Sequence, residues 1–550
     1  MPIFSAHDTT PLAYHLVGEG EPLICLPGGP MRASAYLGDL GGLTARRQLV
    51  SLDLRGTGES GVPEDPSTYR CDRLVDDVEA LREHLGLDRF DVLAHSAGAD
   101  LALLYAARHP DRLRTLTLVT PSTRAVGIEV TDDYLREAAE LRRDEPWYPE
   151  ARAAQEALLA GGPFAELWPA VRPLTYGRWD AAARAHAEAS AGQTNAEARG
   201  HYAGDGAFDP AATAAALRGL TVPVLVLAGE YDGHPSPDRA TELAALFPGA
   251  EFVVQRGAGH FPWLDDPGAF ARAVEAFLDP DVRTVQAGGV RLAYRVWGEE
   301  ASPPVVLLHG RAGSSETWTR IAEDLAADHR VYAPDFRGHG LSDWPGRYSF
   351  EMFRDDVHAF LEARNLAGAT VVGHSMGGVA AYLLAQREPG LIGRLIVEDA
   401  PPLHPLDPPR PPSARPEGTL DFDWSVVPDT DVQLNDPDPA VRGRFPEITA
   451  PTLVIGGGPT SHIDQGHLAQ MVRAIPDAEL VTVDAGHLIH TERPEEFLAA
   501  VRSFGLTRPG HGRPGPPSTD VAQPPRMEDH EERGGGTGRG RAERKRGGGC

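Results

Sequence analysis

Lysine is almost missing from this chain: Lys545 is the only one in 550 residues, and arginine carries nearly all the positive charge. Acids outnumber bases so heavily that the formal net charge is −27. Such a charge repels nucleic acid and anionic membranes, which leaves a small molecule as the expected partner. Cysteine is scarce as well. Cys25, Cys71 and Cys550 are odd in number and far apart, which excludes a disulfide framework or a thiolate metal site and fits a reducing compartment. No apolar run approaches the ~18 residues of a membrane span. The opening MPIFSAHDTTPLAYHLVGEGEP has no basic region followed by an apolar core, so a cytoplasmic location is expected. A Walker lysine pattern, a dinucleotide glycine fingerprint and a Cys/His cluster are all lacking, so neither a cofactor nor a metal is expected.

What the chain does have is a repeat. LICLPGGP (23–30), SLDLRGTGESG (51–61), DVLAHSAGADLALLYAARHPDRLRTLTLV (91–119), VPVLVLAGEYD (222–232) and GAGHFPWLDDP (257–267) recur in order as VVLLHGRAG (305–313), APDFRGHGLSD (333–343), TVVGHSMGGVAAYLLAQREPGLIGRLIVED (370–399), APTLVIGGG (450–458) and DAGHLIHTERP (484–494). The offset is 282 residues from Pro27 to His309 and from Asp53 to Asp335, and 279 from Ser96 to Ser375. It falls to 227 from His260 to His487. The second copy therefore lacks about fifty residues after its serine, where an inserted cap would sit.

Each copy alternates short Val/Leu/Ile runs with helical stretches, the pattern of a mostly parallel sheet with helices on both faces. Two α/β domains are expected, over 1–282 and 283–506. Residues 121–219 have helical periodicity and read as a helical cap on the first. Residues 400–447 are proline-rich and predict a short, irregular cover on the second. The Gly/Arg/Pro-rich stretch 507–550 cannot bury a core and is expected to be disordered.

The chemistry begins at AHSAG (94–98) and GHSMG (373–377). A serine flanked at two residues on either side by small residues, between a strand and a helix, is a nucleophile elbow: the turn is so tight that only small neighbours fit, and it exposes the hydroxyl. Ala94 is small enough for the first of these positions. One such pentapeptide says little, but two at matching places in a repeat say much more.

With these motifs the chain resembles the α/β-hydrolase superfamily in both halves, as a tandem fusion of two such domains. The first half is somewhat similar to the proline iminopeptidase branch through PGGP, DLRGTGES and REHLGLDRFDVLAHSAG. It departs from that branch at Pro27, where the branch has His, at Met31, where it has Gly, and at Ala97, where it has Trp. The resemblance implies a base from a late loop, for which GAGH and DAGH nominate His260 and His487, because an un-ionised serine needs one. His490 reads as structural, and His95 and His374 as braces of the elbow. The third member orients the imidazole and stabilises its cation. Asp232, just past VLVLAGE, takes that role in the first half, with Asp238 a weaker rival.

Counting to the same place in the second half lands on Thr460, which has no carboxylate. Some branches of the superfamily, a group of haloalkane dehalogenases among them, carry the acid at the end of the preceding strand. That resemblance makes Glu398 the first choice, Asp399 the second and Asp464 a further alternative. The oxyanion hole is implied at the backbone of Gly29 and Ala97, and of Arg311 and Met376. Asp53 with Arg55, and Asp335 with Arg337, read as ties within the DxRGxG loop. Trp147, Trp168, Trp179 and Tyr176 in the first cap read as packing or as the lining of an apolar pocket.

The function implied is a serine hydrolase acting on an ester, amide or related carbonyl through an acyl-enzyme, with two potential sites. An aminopeptidase, a carbon-carbon hydrolase or a cofactor-free peroxidase are alternatives on the same scaffold. A reading of another class makes one half, the second by preference, a non-catalytic binding or scaffolding module.

Overall fold

The computed structural model describes residues 1–506; the stretch 507–550, expected to be disordered, lies outside them. Two eight-stranded sheets follow one another along the chain. The first contains β1 (Ile3–Ser5), β2 (Pro11–Val17), β3 (Glu21–Leu26), β4 (Arg47–Leu52), β5 (Phe90–His95), β6 (Leu113–Val119), β7 (Val224–Gly229) and β8 (Glu251–Gln255). Their order is β1-β2-β4-β3-β5-β6-β7-β8, parallel throughout except where β2 pairs with β1 and β4. The second contains β9 (Val282–Ala287), β10 (Val290–Trp297), β11 (Pro304–Leu308), β12 (Arg330–Pro334), β13 (Thr370–His374), β14 (Arg394–Glu398), β15 (Thr452–Gly456) and β16 (Ala478–Thr482). Its order reproduces the first: β9-β10-β12-β11-β13-β14-β15-β16, antiparallel only around β10. These are two consecutive α/β-hydrolase folds.

The central strands are fully buried, as continuous apolar runs covered on both faces must be. Parallel strands put all their C-terminal ends on one edge, and there the elbows emerge. β5 runs into the helix Ala97–Arg108 and β13 into Met376–Arg387. The extra chain of the first half forms helices at Asp132–Glu140, Tyr148–Leu159, Phe164–Val171, Ala181–Gln193, Ala196–Tyr202 and Pro210–Leu217. The cover of the second half holds one helix of length, Val426–Asn435, which the proline content argued against. Pro428 is its third residue, within the first turn, where no N–H is needed for an intrahelical bond.

Candidate active site

Both serines sit where the elbow requires. Ser96 has φ 53° and ψ −122°, and Ser375 has φ 51° and ψ −114°, a region that glycine favours and that costs another residue about 1–3 kcal/mol. The approach of the helix enforces the small neighbours: a Cβ on Gly98 would lie 2.5 Å from Leu26 O. A Cβ on Gly377 would meet Leu308 O and His309 O in the same way.

In the first half three side chains line up. Ser96 Oγ is 2.8 Å from His260 Nε2, and His260 Nδ1 is 2.7 Å from Asp232 Oδ2. Asp232 is itself buried, with its other oxygen accepting from His234 N at 2.8 Å. The hydroxyl can thus pass its proton to the imidazole, whose far nitrogen faces a fixed carboxylate. Asp238, the rival acid, sits in the first turn of the helix Pro237–Ala244 instead. His95 holds the base in place: its Nε2 is 2.9 Å from His260 O and its Nδ1 is 2.7 Å from Tyr36 OH. Burial lowers the His95 pKa well below the ordinary value, so the ring is a neutral strut. Tyr36 OH in turn accepts from Gly28 N at 2.7 Å, tying the early glycine loop to the elbow. Nothing in the sequence motifs pointed to this tyrosine.

In the second half the sequence preference for Glu398 is corrected. His487 Nδ1 is 2.8 Å from Asp399 Oδ2. Glu398 is turned away, with its carboxylate within 2.9 Å of His490 Nδ1 and accepting His490 N at 2.8 Å. The physical reason is where the strand ends: Glu398 is the last residue of β14, whereas Asp399 lies beyond it with φ 41°, in the turn that leaves the sheet edge. Burial alone would push the Asp399 carboxyl up, but bonds from His487, Ser461 and Gly457 N hold it below its usual value. Burial would push the wholly buried Glu398 up, but the charge and hydrogen bonds of His490, with the electrostatic influence of His374, hold it low. Asp464 caps the helix Gln465–Ala474 by accepting His467 N at 2.9 Å. Thr460 bonds Asp484 at 3.2 Å.

His490, three residues past His487, stacks on the buried Trp318 with centroids 4.0 Å apart. His374 braces His487 through its carbonyl at 2.9 Å, and burial holds His374 at about 4. The line stops short of the serine. Among the described residues no hydrogen bond joins Ser375 Oγ to His487, whose ring packs against His462 at 4.1 Å between centroids.

The expected oxyanion donors lie at these elbows. Ala97 and Met376 are the first residues of their helices, where backbone N–H groups have no intrahelical acceptor. Gly29 and Ala97 both line a cavity of about 1250 Å³ that opens onto Ser96 and His260 beneath the first cap. Arg311 occupies the place of Gly29 in the second half, and its guanidinium reaches Asp431 Oδ1 at 2.7 Å. The DxRGxG loops are tied as expected: Asp53 accepts Ser34 N and Glu59 N at 2.8 and 3.0 Å, and Asp335 accepts Ser315 N and Leu341 N at 2.6 and 3.0 Å. Arg55 and Arg337 pair with Asp77 and Asp356. Of the cap aromatics, Trp147 packs within the cap, Trp179 lies against Tyr176, and Trp168 both packs there and lines the cavity. Among the described residues no cluster could hold a metal ion and no helix is long and apolar enough to cross a membrane.

A family model described as alpha/beta hydrolase fold matches residues 21–267 and 303–427, together more than half of the chain. Among characterised relatives, an sn-1-specific diacylglycerol lipase of Mus musculus is 27% identical over 252 residues, 38% of this chain and 82% of its own. An esterase of Escherichia coli (strain K12) is 26% identical over 234 residues, 36% of this chain and 92% of its own. Among solved structures, the enol-lactonase of Burkholderia xenovorans LB400 aligns with a TM-score of 0.38 at 23% identity, over 50% of this chain and 99% of its own.

Proposed function

Because the chain belongs to the alpha/beta hydrolase fold family and is a hydrolase, we propose that it is a serine hydrolase that cleaves an ester, amide or related carbonyl through an acyl-enzyme, with Ser96 as nucleophile. The observation that carries this reading is the unbroken line Ser96, His260, Asp232 at 2.8 and 2.7 Å. His260 takes the proton as Ser96 Oγ bonds the carbonyl carbon, then returns it to the leaving group; water, activated by the same ring, releases the acid. Asp232 holds the tautomer and offsets the charge of the imidazolium. In this reading the amides of Gly29 and Ala97 receive the oxyanion. The lipase and esterase named among the relatives favour an ester as the bond cleaved.

The second half is a second potential site, with Ser375, His487 and Asp399 in the same roles. The open gap at Ser375 favours a second reading, in which this half binds without turning over. A fluorophosphonate probe with peptide mapping tests both. The serine-hydrolase reading requires labelling at Ser96 and its loss in Ser96→Ala. Labelling of neither serine in the folded protein would overturn it, and labelling of Ser96 alone would make the second half the non-catalytic one.

A further inference from the structure

The loop that carries Gly29 turns back on itself beside the nucleophile. Arg32 N donates to Gly28 O at 3.1 Å, and a Cβ on Gly29 would lie 2.8 Å from Arg32 Cβ. On the other side, a Cβ on Gly28 would lie 2.8 Å from Ser96 Cβ. Arg32, Gly29 and Ser96 thus crowd around one turn, and all three line the cavity under the first cap.

Arg32 is only 5% exposed, yet every group that holds it is neutral. Its Nε donates to Gln193 Oε1 at 2.9 Å, its Nη2 to the His186 carbonyl at 3.2 Å, and its guanidinium lies 4.2 Å from the centre of the Tyr36 ring. No carboxylate pairs with it among the described residues. The neighbouring charge is another cation, Arg172, and burial with that repulsion pulls Arg32 below its ordinary basicity. A buried guanidinium without a counter-charge is unfavourable, and its Nη1, with no partner among the described residues, is left to donate to a carboxylate oxygen. Three other arginines line this cavity: Arg136 is already paired with Glu156 and Asp133, Arg199 lies over Phe164, and Arg124 is exposed and helps to hold down the carboxyl of Asp100. Among the described residues the second half has nothing equivalent. Ser314 stands at the matching position, and the nearby Arg311 is neutralised by Asp431.

We propose that the Ser96 site takes an ester whose acyl chain ends in a carboxylate, seated on Arg32 while the carbonyl lies at Ser96, an inference that rests on Ser96 being the nucleophile. Ser96 Oγ forms the bond to the acyl carbon, the carbon-oxygen bond to the alcohol breaks, and the proton held by His260 goes to the leaving oxygen. Water then releases a dicarboxylic acid, so one ester and one water give one diacid and one alcohol.

The test compares mono-p-nitrophenyl glutarate with neutral p-nitrophenyl butyrate in the full chain carrying Ser375→Ala. The charged ester is expected to have a kcat/KM at least tenfold higher. Arg32→Gln lowers that ratio at least tenfold, mainly through KM, and Arg32→Lys restores part of it. A ratio of one or less, with Ser96 still labelled by a fluorophosphonate, overturns the carboxylate seat alone. So does an Arg32→Gln protein in which both esters fall in proportion, since that is what a purely structural arginine would give. Absence of labelling at Ser96 removes the nucleophile and the seat together.

Discussion

Two adjacent acids in the second half do different work. Asp399 faces His487, and Glu398 forms a fully buried pair with His490 beneath it. Replacing Asp399 by Asn leaves a donor where the imidazole needs an acceptor, and the rate of fluorophosphonate labelling at Ser375 should fall by ~10²-fold or more. Glu398→Gln should lower that rate less than tenfold and instead cost about 1–3 kcal/mol of stability, by weakening a buried hydrogen-bonded pair. Labelling rates at Ser375 with thermal unfolding of the two variants check this, and the reverse ranking would return the acid to Glu398. This one-residue choice is also where the sequence ran out. Ser96, Ser375, His260 and His487 could be found because their neighbours are small or glycine and recur at matching places. Which acid of IVED ends the strand and which begins the turn carries no such mark, because both acids are polar and both end up buried. His490 did leave a sign, being three residues after His487 in a stretch that must turn into a helix, but its partner could not be read without the strand's orientation.

At the level of elements, the fold offers two sockets for a carboxylate, and each half fills a different one. After β6, Thr120 N donates to Leu227 O at 2.7 Å; after β14, Asp399 N donates to Ile455 O at 2.8 Å. Their φ angles are 40° and 41°, so Thr120 occupies the backbone site of Asp399. Thr120 Oγ1 already reaches His260 O at 3.0 Å. After β7 the roles reverse, with Asp232 in the first half answered by Thr460 in the second. Moving the acid within the first half, as Thr120→Asp with Asp232→Asn, should recover at least tenfold of the Ser96 labelling lost in Asp232→Asn alone. No recovery would mean that the loops of the first half do not allow the other socket to be used. The alternation of strands and helices that builds these sockets was plain in the sequence, because parallel strands buried on both faces are unbroken Val/Leu/Ile runs. The helix Val426–Asn435 was not. Its buried Val426, Val427, Thr430 and Leu434 have helical spacing, but prolines before and within it read as breaks until Pro428 is seen to lie in the first turn.

At the scale of the molecule, no buried apolar cluster among the described residues crosses the junction: those of the first half end before residue 279 and those of the second begin after it. What joins the halves is polar. Arg295 pairs with Asp279 at 3.0 Å, Thr284 Oγ1 donates to Glu251 at 3.0 Å, and the Arg272 guanidinium lies 4.0 Å from the centre of the Trp344 ring. These contacts are half-buried and polar, without an apolar core between the halves, and such an interface couples domains weakly, so calorimetry should resolve two unfolding transitions, and Trp318→Ala, which opens a cavity in the second core, should lower one of them by about 3–5 kcal/mol while leaving the other in place. A single cooperative transition that moves as a whole would contradict this. Separate cores also bear on how an acid can change strands at all. Any stepwise exchange between the two sockets passes through a sequence with both carboxylates or with neither, and such an intermediate is either electrostatically crowded or inactive. In a duplicated chain whose copies do not share a core, that damage stays on one side, and the intact copy keeps its own fold while its twin is rebuilt.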